Sequence, residues 1–167
     1  MTSEHLLWMF FPLAITLHNL EESIWLPKWS QHARKFHKPV ARDEFLFGAI
    51  LVTLLAYLCT FLAIAFPSAW LWRRIFVGFL GTMILNGIFP HLIGTIVLRK
   101  YCPGLLTSLF LLVPVNSLIL HRAVADGEVN WTEITASTGA VALVLVMLLP
   151  LFFQLGRKLI GALASDS

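Results

Sequence analysis

Residues 45–66 read FLFGAILVTLLAYLCTFLAIAF, a run of 22 residues without one charged side chain. A helix needs roughly 20 apolar residues to cross the hydrocarbon core of a bilayer, so this run predicts a transmembrane helix. The composition agrees: 58% of the 167 residues are hydrophobic, 13% are charged and the mean hydropathy is +0.81. A typical soluble domain is about one quarter charged. The sequence therefore predicts an integral membrane protein.

Further apolar runs extend this interpretation along the chain. They cover residues 6–25, 76–98, 105–120 and 134–155. We therefore predict an all-α fold, a polytopic membrane bundle of about five transmembrane helices that forms a single domain over residues 1–167. The first run lacks a basic segment before it and a small-residue cleavage site after it, so we expect no signal peptide. Two cysteines are too few for a disulfide framework or a cysteine-based zinc site.

The basic residues are distributed unevenly between the two sides of the predicted bundle. Nine lie in the first loop, in the third loop or after the fifth helix, and three lie on the opposite side. The nine are Lys28, Arg34, Lys35, Lys38, Arg42, Arg99, Lys100, Arg157 and Lys158. The positive-inside rule then places the N-terminus outside and the C-terminus in the cytoplasm. This topology explains the net charge of +3 better than a nucleic-acid partner does.

One polar cluster interrupts the first apolar run. Residues 18–22 read His18-Asn19-Leu20-Glu21-Glu22, and His18, Glu21 and Glu22 share one face of a helix. Each ionisable group at a helix centre costs about 2.5–3.5 kcal/mol on the insertion scale. The cluster therefore needs paired charges, a metal ion or a water-filled cavity around it.

A second histidine is predicted at a similar depth. His91 lies on the third helix, on a face that it shares with Gly87, Gly94 and Thr95, and small residues let a neighbouring helix approach closely. At a rise of 1.5 Å per residue, His18 lies ~4 Å, His91 ~6 Å and Glu22 ~10 Å to the cytoplasmic side of the segment midpoints. Both helices run in the same direction, so we expect one composed site.

The donor set suggests a divalent metal. Two imidazoles and one carboxylate can hold catalytic zinc with an open position, and the same set can hold non-haem iron. We assign His18, Glu22 and His91 as ligands, with zinc and iron both open, and Glu21 as the general base or a fourth ligand. Asn86 is expected to orient a ligand or to bond a neighbouring helix.

Metal-free alternatives remain open at this point. Glu21 and Glu22 can lie near the interface, neutralised by Lys28 and Arg34, and His18 can form an interhelical hydrogen bond. The remaining histidines are expected to be solvated. They are His5, His32, His37 and His121.

A third motif, Tyr101-Cys102-Pro103-Gly104, follows the third helix. With this motif, the chain resembles the bacterial HXXEE domain family, which is described by His-x-x-Glu-Glu, a further histidine and Tyr-x-Pro-Gly. The resemblance spans residues 6–155, with His91 as the best match to the further histidine. It implies that the three motifs act together in a bacterial membrane protein, most simply in the cytoplasmic membrane. The family is described as one of unknown function, for which an enzymatic role is suggested.

The residues of this third motif predict a tight turn, because Pro103 presets φ and Gly104 accepts a positive φ. Tyr101 is either an interface anchor or a catalytic hydroxyl over the cytoplasmic mouth of the site. A straight helix would separate it from His91 by ~15 Å, so direct ligation requires a break at Pro90 or unwinding near Gly94.

The leading functional hypothesis is a metal-dependent membrane enzyme, hydrolytic or oxidative, that acts on a lipidic or apolar substrate. The alternatives are a metal-free proton-coupled carrier, with a relay through His18 and Glu21, and a structural or partner-binding subunit. The expected partners are the lipid bilayer and an apolar small molecule or lipid, without nucleic acid.

The predicted topology is tested by reporter fusions. A fusion after Ser167 should behave as cytoplasmic and one near Asp126 as periplasmic, because basic loops are retained in the cytoplasm. An active periplasmic phosphatase fused after Ser167 would contradict the predicted orientation.

Overall fold

The computed structural model describes residues 3–31 and 41–165, and every regular element in those ranges is a helix. The α-helices are α1 (Ser3–Trp8), α2 (Phe10–Ser30), α3 (Arg42–Ala65), α4 (Trp70–Asn86), α5 (Ile93–Leu98), α6 (Leu105–Thr107), α7 (Val113–Ala125) and α8 (Trp131–Ser165). Two π-helical segments, Gly87–Leu92 and Ser108–Leu112, join α4 to α5 and α6 to α7. The predicted all-α architecture is confirmed.

Among the described residues, four helical segments are long and apolar enough to cross a membrane. They are Arg42–Ala65, Trp70–Leu98, Leu105–Ala125 and Trp131–Ala162. Helix α2 is not among these four because its polar cluster makes it less apolar. It nevertheless has 21 residues and packs against α3. The orientation of the bundle stays a prediction.

Several predicted helices are shorter than the helices in the structure. The first predicted helix divides at Met9 and continues to Ser30, the third begins at Trp70, and the last extends to Ser165. Hydropathy marks only the part of a helix that suits hydrocarbon, whereas helices continue into the interface. The predicted loop residues Arg34, Lys35 and Lys38 lie outside the described residues, as do His32 and His37.

Helix α2 turns one continuous face toward the interior of the bundle. Phe11 and Ile15 are fully buried in the hydrophobic core, where Phe11 packs against two aromatic rings of α4. His18, the next residue on that face, is 1% exposed. The core face of α2 therefore changes from apolar to polar at His18.

The third predicted span is broken near its middle. Phe89 has non-helical angles, φ −129° and ψ 120°, and is followed by Pro90, which cannot donate a helical hydrogen bond. The helix thus breaks at Pro90, which is one of the two changes that direct ligation by Tyr101 requires. His91, directly after it, is completely buried.

Close backbone packing joins α4 to α8. A Cβ atom on Gly78 would lie 2.5 Å from the carbonyl oxygen of Ser137, and one on Gly81 would lie 2.0 Å from the Thr138 hydroxyl. Thr82 also donates a hydrogen bond to the Thr138 carbonyl, at 3.2 Å. Small residues therefore hold α4 in place, and α4 leads directly to Asn86 and His91.

Gly78→Ala should destabilise the bundle by about 1–3 kcal/mol, because the new methyl group meets backbone that cannot rotate away. Gly139→Ala on α8 is the matched control, since no atom lies within 4 Å of its Cβ position. Thermal unfolding in detergent should show a lower Tm for Gly78→Ala only. An equal Tm for the two variants would contradict the close packing of α4 on α8.

Candidate metal centre

Helix α2 supplies two donors of the polar cluster. His18 and Glu22 are one turn apart, with 3.6 Å between His18 Nε2 and Glu22 Oε2. Glu22 is 13% exposed, so both side chains lie inside the bundle. The predicted shared face of this pair is present.

The break at Phe89 supplies the third donor. His91 Nε2 lies 3.2 Å from Glu22 Oε1, and the two imidazole rings meet edge to face with centroids 5.0 Å apart. Gly87, two residues before Phe89, lets the broken segment approach Ser108 closely, since a Cβ on Gly87 would lie 3.0 Å from Ser108 Cβ. The structure thus brings together His18, Glu22 and His91, as the sequence predicts.

The spacing of these atoms suits a small divalent ion. Donor atoms of His18, Glu22 and His91 all lie within 4.8 Å of one another. Tetrahedral zinc with bonds of about 2.0–2.2 Å separates its ligand atoms by about 3.3–3.6 Å. The distances from His91 Nε2 to Glu22 Oε1, 3.2 Å, and from His18 Nε2 to Glu22 Oε2, 3.6 Å, are close to that value, one on each carboxylate oxygen.

The outer nitrogen of each imidazole faces a polar side chain. His18 Nδ1 lies 3.0 Å from Thr107 Oγ1 and 3.4 Å from Ser108 Oγ, and His91 Nδ1 lies 3.7 Å from Cys102 Sγ. The Thr107 hydroxyl donates its proton to Glu21 Oε2 at 2.6 Å, so it accepts a hydrogen from His18. His18 therefore carries its proton on Nδ1, and its Nε2 lone pair faces the cluster.

Asn86 contacts both histidines. Its amide nitrogen lies 3.2 Å from His18 Nε2 and 3.2 Å from His91 Nε2. An amide NH₂ group only donates, so both Nε2 atoms accept. On a regular α-helix, Asn86 and His91 are five residues apart and would point in different directions, but the π-helical segment between them turns both toward the same point.

Glu21 turns away from the three donors and toward the segment after α5. Its Oε1 accepts from the Gly104 amide at 2.8 Å and from the Tyr101 hydroxyl, and its Oε2 accepts from the Thr107 amide at 3.0 Å and the Thr107 hydroxyl. Four donors satisfy the carboxylate. This geometry favours an anchoring role over ligation, and the general-base role of Glu21 stays a prediction.

Tyr101 reaches Glu21 and not the cluster of His18, Glu22 and His91. Its hydroxyl donates to Glu21 and accepts from the Leu106 amide at 3.2 Å. Burial of the hydroxyl, together with this hydrogen bond to Glu21, raises the pKa of Tyr101 to about 12. The phenol therefore stays protonated and acts as a donor, while its ring remains half exposed.

The glycine of the turn packs directly on both imidazoles. Gly104 has φ +94°, as the turn predicts, and its amide donates to Glu21. A Cβ there would lie 2.6 Å from His91 Cε1 and 2.9 Å from His18 Cε1. The Tyr-x-Pro-Gly motif is therefore a wall of the site as well as a turn.

Three residues of the site were not predicted from the sequence: Cys102, Thr107 and Ser108. Cys102 was expected only to be part of the turn motif, whereas it is 1% exposed and lies beside His91. The sequence signal for Thr107 and Ser108 is that two adjacent hydroxyl residues interrupt an otherwise apolar helix.

The other histidines behave differently. His121 is exposed, as predicted, whereas His5 packs edge to face on Trp8 and is half-buried. Within residues 3–31 and 41–165, His18, Glu22 and His91 form the one group of three His, Cys, Asp or Glu donors with metal-binding spacing.

Gly104→Ala should disrupt the site because its methyl group overlaps both imidazoles. Gly127→Ala is the matched control: it has the same left-handed strain at φ +72° but open space around its Cβ. We expect Gly104→Ala to lower the free energy of unfolding by about 1–3 kcal/mol more than Gly127→Ala does, measured by thermal unfolding in detergent. Equal losses would mean that backbone strain, and not contact with the histidines, requires this glycine.

Comparison with known proteins agrees with the three motifs. The family model for "protein of unknown function with HXXEE motif" matches residues 8–119. The uncharacterized protein YrkK of Bacillus subtilis strain 168 is 50% identical over 149 residues, covering 89% of this chain and 94% of YrkK. No solved structure matches. The chain, which carries the motif as His18, Glu21 and Glu22, thus belongs to the HXXEE family.

Proposed function

We propose that this protein is a membrane-embedded enzyme that binds a divalent metal, zinc or iron, with His18, Glu22 and His91. Its substrate is lipidic or otherwise apolar. The observation that carries the proposal is the convergence of three donor atoms from two helices, with both imidazoles presenting Nε2 to Glu22.

The cost of burying the cluster supports a metal. His18 and His91 are almost completely buried, and intramembrane ionisable groups need a partner of opposite charge or an ion. Glu22 supplies one negative charge inside the cluster, and its carboxylate oxygens contact the Nε2 atoms of both imidazoles. A divalent cation would balance that charge and satisfy all three donors.

The donor set is compatible with two classes of chemistry. Such an ion would polarise a substrate oxygen if it is zinc, or support oxidation if it is iron. The protein contributes the dry surroundings, which strengthen electrostatic interactions, and the fixed Nδ1 partners that orient each imidazole. Asn86 lies beside both Nε2 atoms on the α4 side, and its N–H bonds to them would give way to the ion.

The surroundings favour an apolar substrate from the bilayer. Leu17, Leu20 and Ile24 lie on the α2 face next to Glu21, and each is about half exposed. A molecule that approaches the site along this face meets hydrocarbon side chains. The relative in Bacillus subtilis supports the bacterial cytoplasmic membrane as the location.

One observation favours a second candidate, the proton-coupled carrier. Hydrogen bonds run from His18 through Thr107 and Glu21 to the half-exposed Tyr101. In an enzyme, this chain can bring a proton to the site. In a carrier, it would be a relay that works without bound metal, so metal content separates the two.

Metal analysis of the detergent-purified protein tests the proposal. The wild type should bind close to one zinc or iron per chain, and His18→Ala, His91→Ala and Glu22→Gln should each reduce that amount at least tenfold, because each removes a ligand. His121→Ala, which removes an exposed histidine, is the control and should retain the metal.

Glu21→Gln separates the two roles of Glu21. As an anchor, the carboxylate accepts four hydrogen bonds, and an amide NH₂ in place of one oxygen would face two donors. We therefore expect lower Tm and weaker metal binding, whereas a general base would keep its metal and lose turnover 10²–10⁴-fold. A wild type without metal would contradict the proposed enzyme and favour the carrier.

A further inference from the structure

An apolar groove runs beside the metal-ligand cluster, on the outer side of Glu21. One wall is the exposed face of α2 from Leu17 to Lys28, and the other is formed by residues between Lys100 and Leu111. Its volume is about 780 Å³, within the range of small-molecule sites.

The α2 wall is a continuous apolar stripe. Leu17, Leu20, Ile24 and Trp25 project from one side of the helix, and each is about half exposed. Leu106 and Leu111 contribute apolar surface from the opposite wall. This shape and chemistry suit a hydrocarbon chain that lies along α2.

The groove has two different polar features. Lys28 and Lys100, one from each wall, are exposed and carry positive charge. Glu21, Tyr101 and Thr107 also line the groove, but they are hydrogen-bonded to one another. Lys28 and Lys100 are the basic residues that line the groove, and their charge would favour an acidic ligand.

We propose that this groove binds an anionic amphiphile of the bilayer, with its hydrocarbon chain against α2 and its acidic head group between Lys28 and Lys100. That this amphiphile is the substrate rests on the function proposed above. The two lysines would select an acidic head group by its charge. The apolar walls would accept any hydrocarbon chain.

The groove and the metal-ligand cluster share a boundary. Thr107 lines the groove, and its hydroxyl lies 3.0 Å from His18 Nδ1. Along α2, Lys28 lies seven positions after Glu21, which is about 10 Å of helix. A bound amphiphile would therefore place a chain position about 10 Å from its head group beside the Glu21–Thr107 boundary.

Tryptophan fluorescence tests the binding directly, because Trp25 and Trp29 line the groove. The full chain is reconstituted in phosphatidylcholine nanodiscs that contain either brominated phosphatidylglycerol or brominated phosphatidylcholine at the same mole fraction. The quenching that disappears in Trp25→Phe/Trp29→Phe is the groove signal. We expect this signal to be at least fivefold more sensitive to phosphatidylglycerol, since each lysine near an anionic lipid adds about fivefold.

The lysines are tested with a charge-matched control. Lys28→Gln/Lys100→Gln should reduce the preference to about one, whereas Arg99→Gln/Lys158→Gln removes two positive charges outside the groove and should retain it. Equal quenching by both lipids in the wild type, or an unchanged preference in the lysine variant, would overturn the proposal. Quenching requires neither metal nor turnover, so a failure here is distinct from a failure of the proposed enzyme.

Discussion

The site depends on the four hydrogen bonds that Glu21 accepts from the segment after α5. They hold Gly104 against the imidazoles of His18 and His91, and they fix Thr107 beside His18 Nδ1. The two adjacent glutamates thus have different tasks, because consecutive helical residues point in different directions. Glu22 faces the histidines, and Glu21 holds the wall that covers them.

The sequence predicted the fold class and the three donors because each left a local signal. Uninterrupted apolar runs indicate membrane helices, and helical spacing places His18 and Glu22 on one face. His91 required a further step, the comparison of depth in two helices with the same direction. The break at Phe89, which lets His91 reach Glu22, lies directly before Pro90, a residue that interrupts helices.

Other parts of the site could not be obtained from local patterns. On an ideal α-helix, Asn86 would point away from His91. The π-helical segment that follows Asn86 brings its side chain to both histidines. The contacts of Thr107 and Cys102 depend on how a turn folds back on α2 and on the helix break. Such contacts are set by tertiary packing, which periodicity does not encode.

The central claim is that one divalent ion joins His18, Glu22 and His91. X-ray absorption at the metal edge of the purified protein tests it most directly. The account predicts two imidazole nitrogens and a carboxylate oxygen at about 2.0–2.2 Å, without a sulfur ligand. A sulfur scatterer at about 2.3 Å, which would implicate Cys102, or a spectrum without imidazole would contradict it.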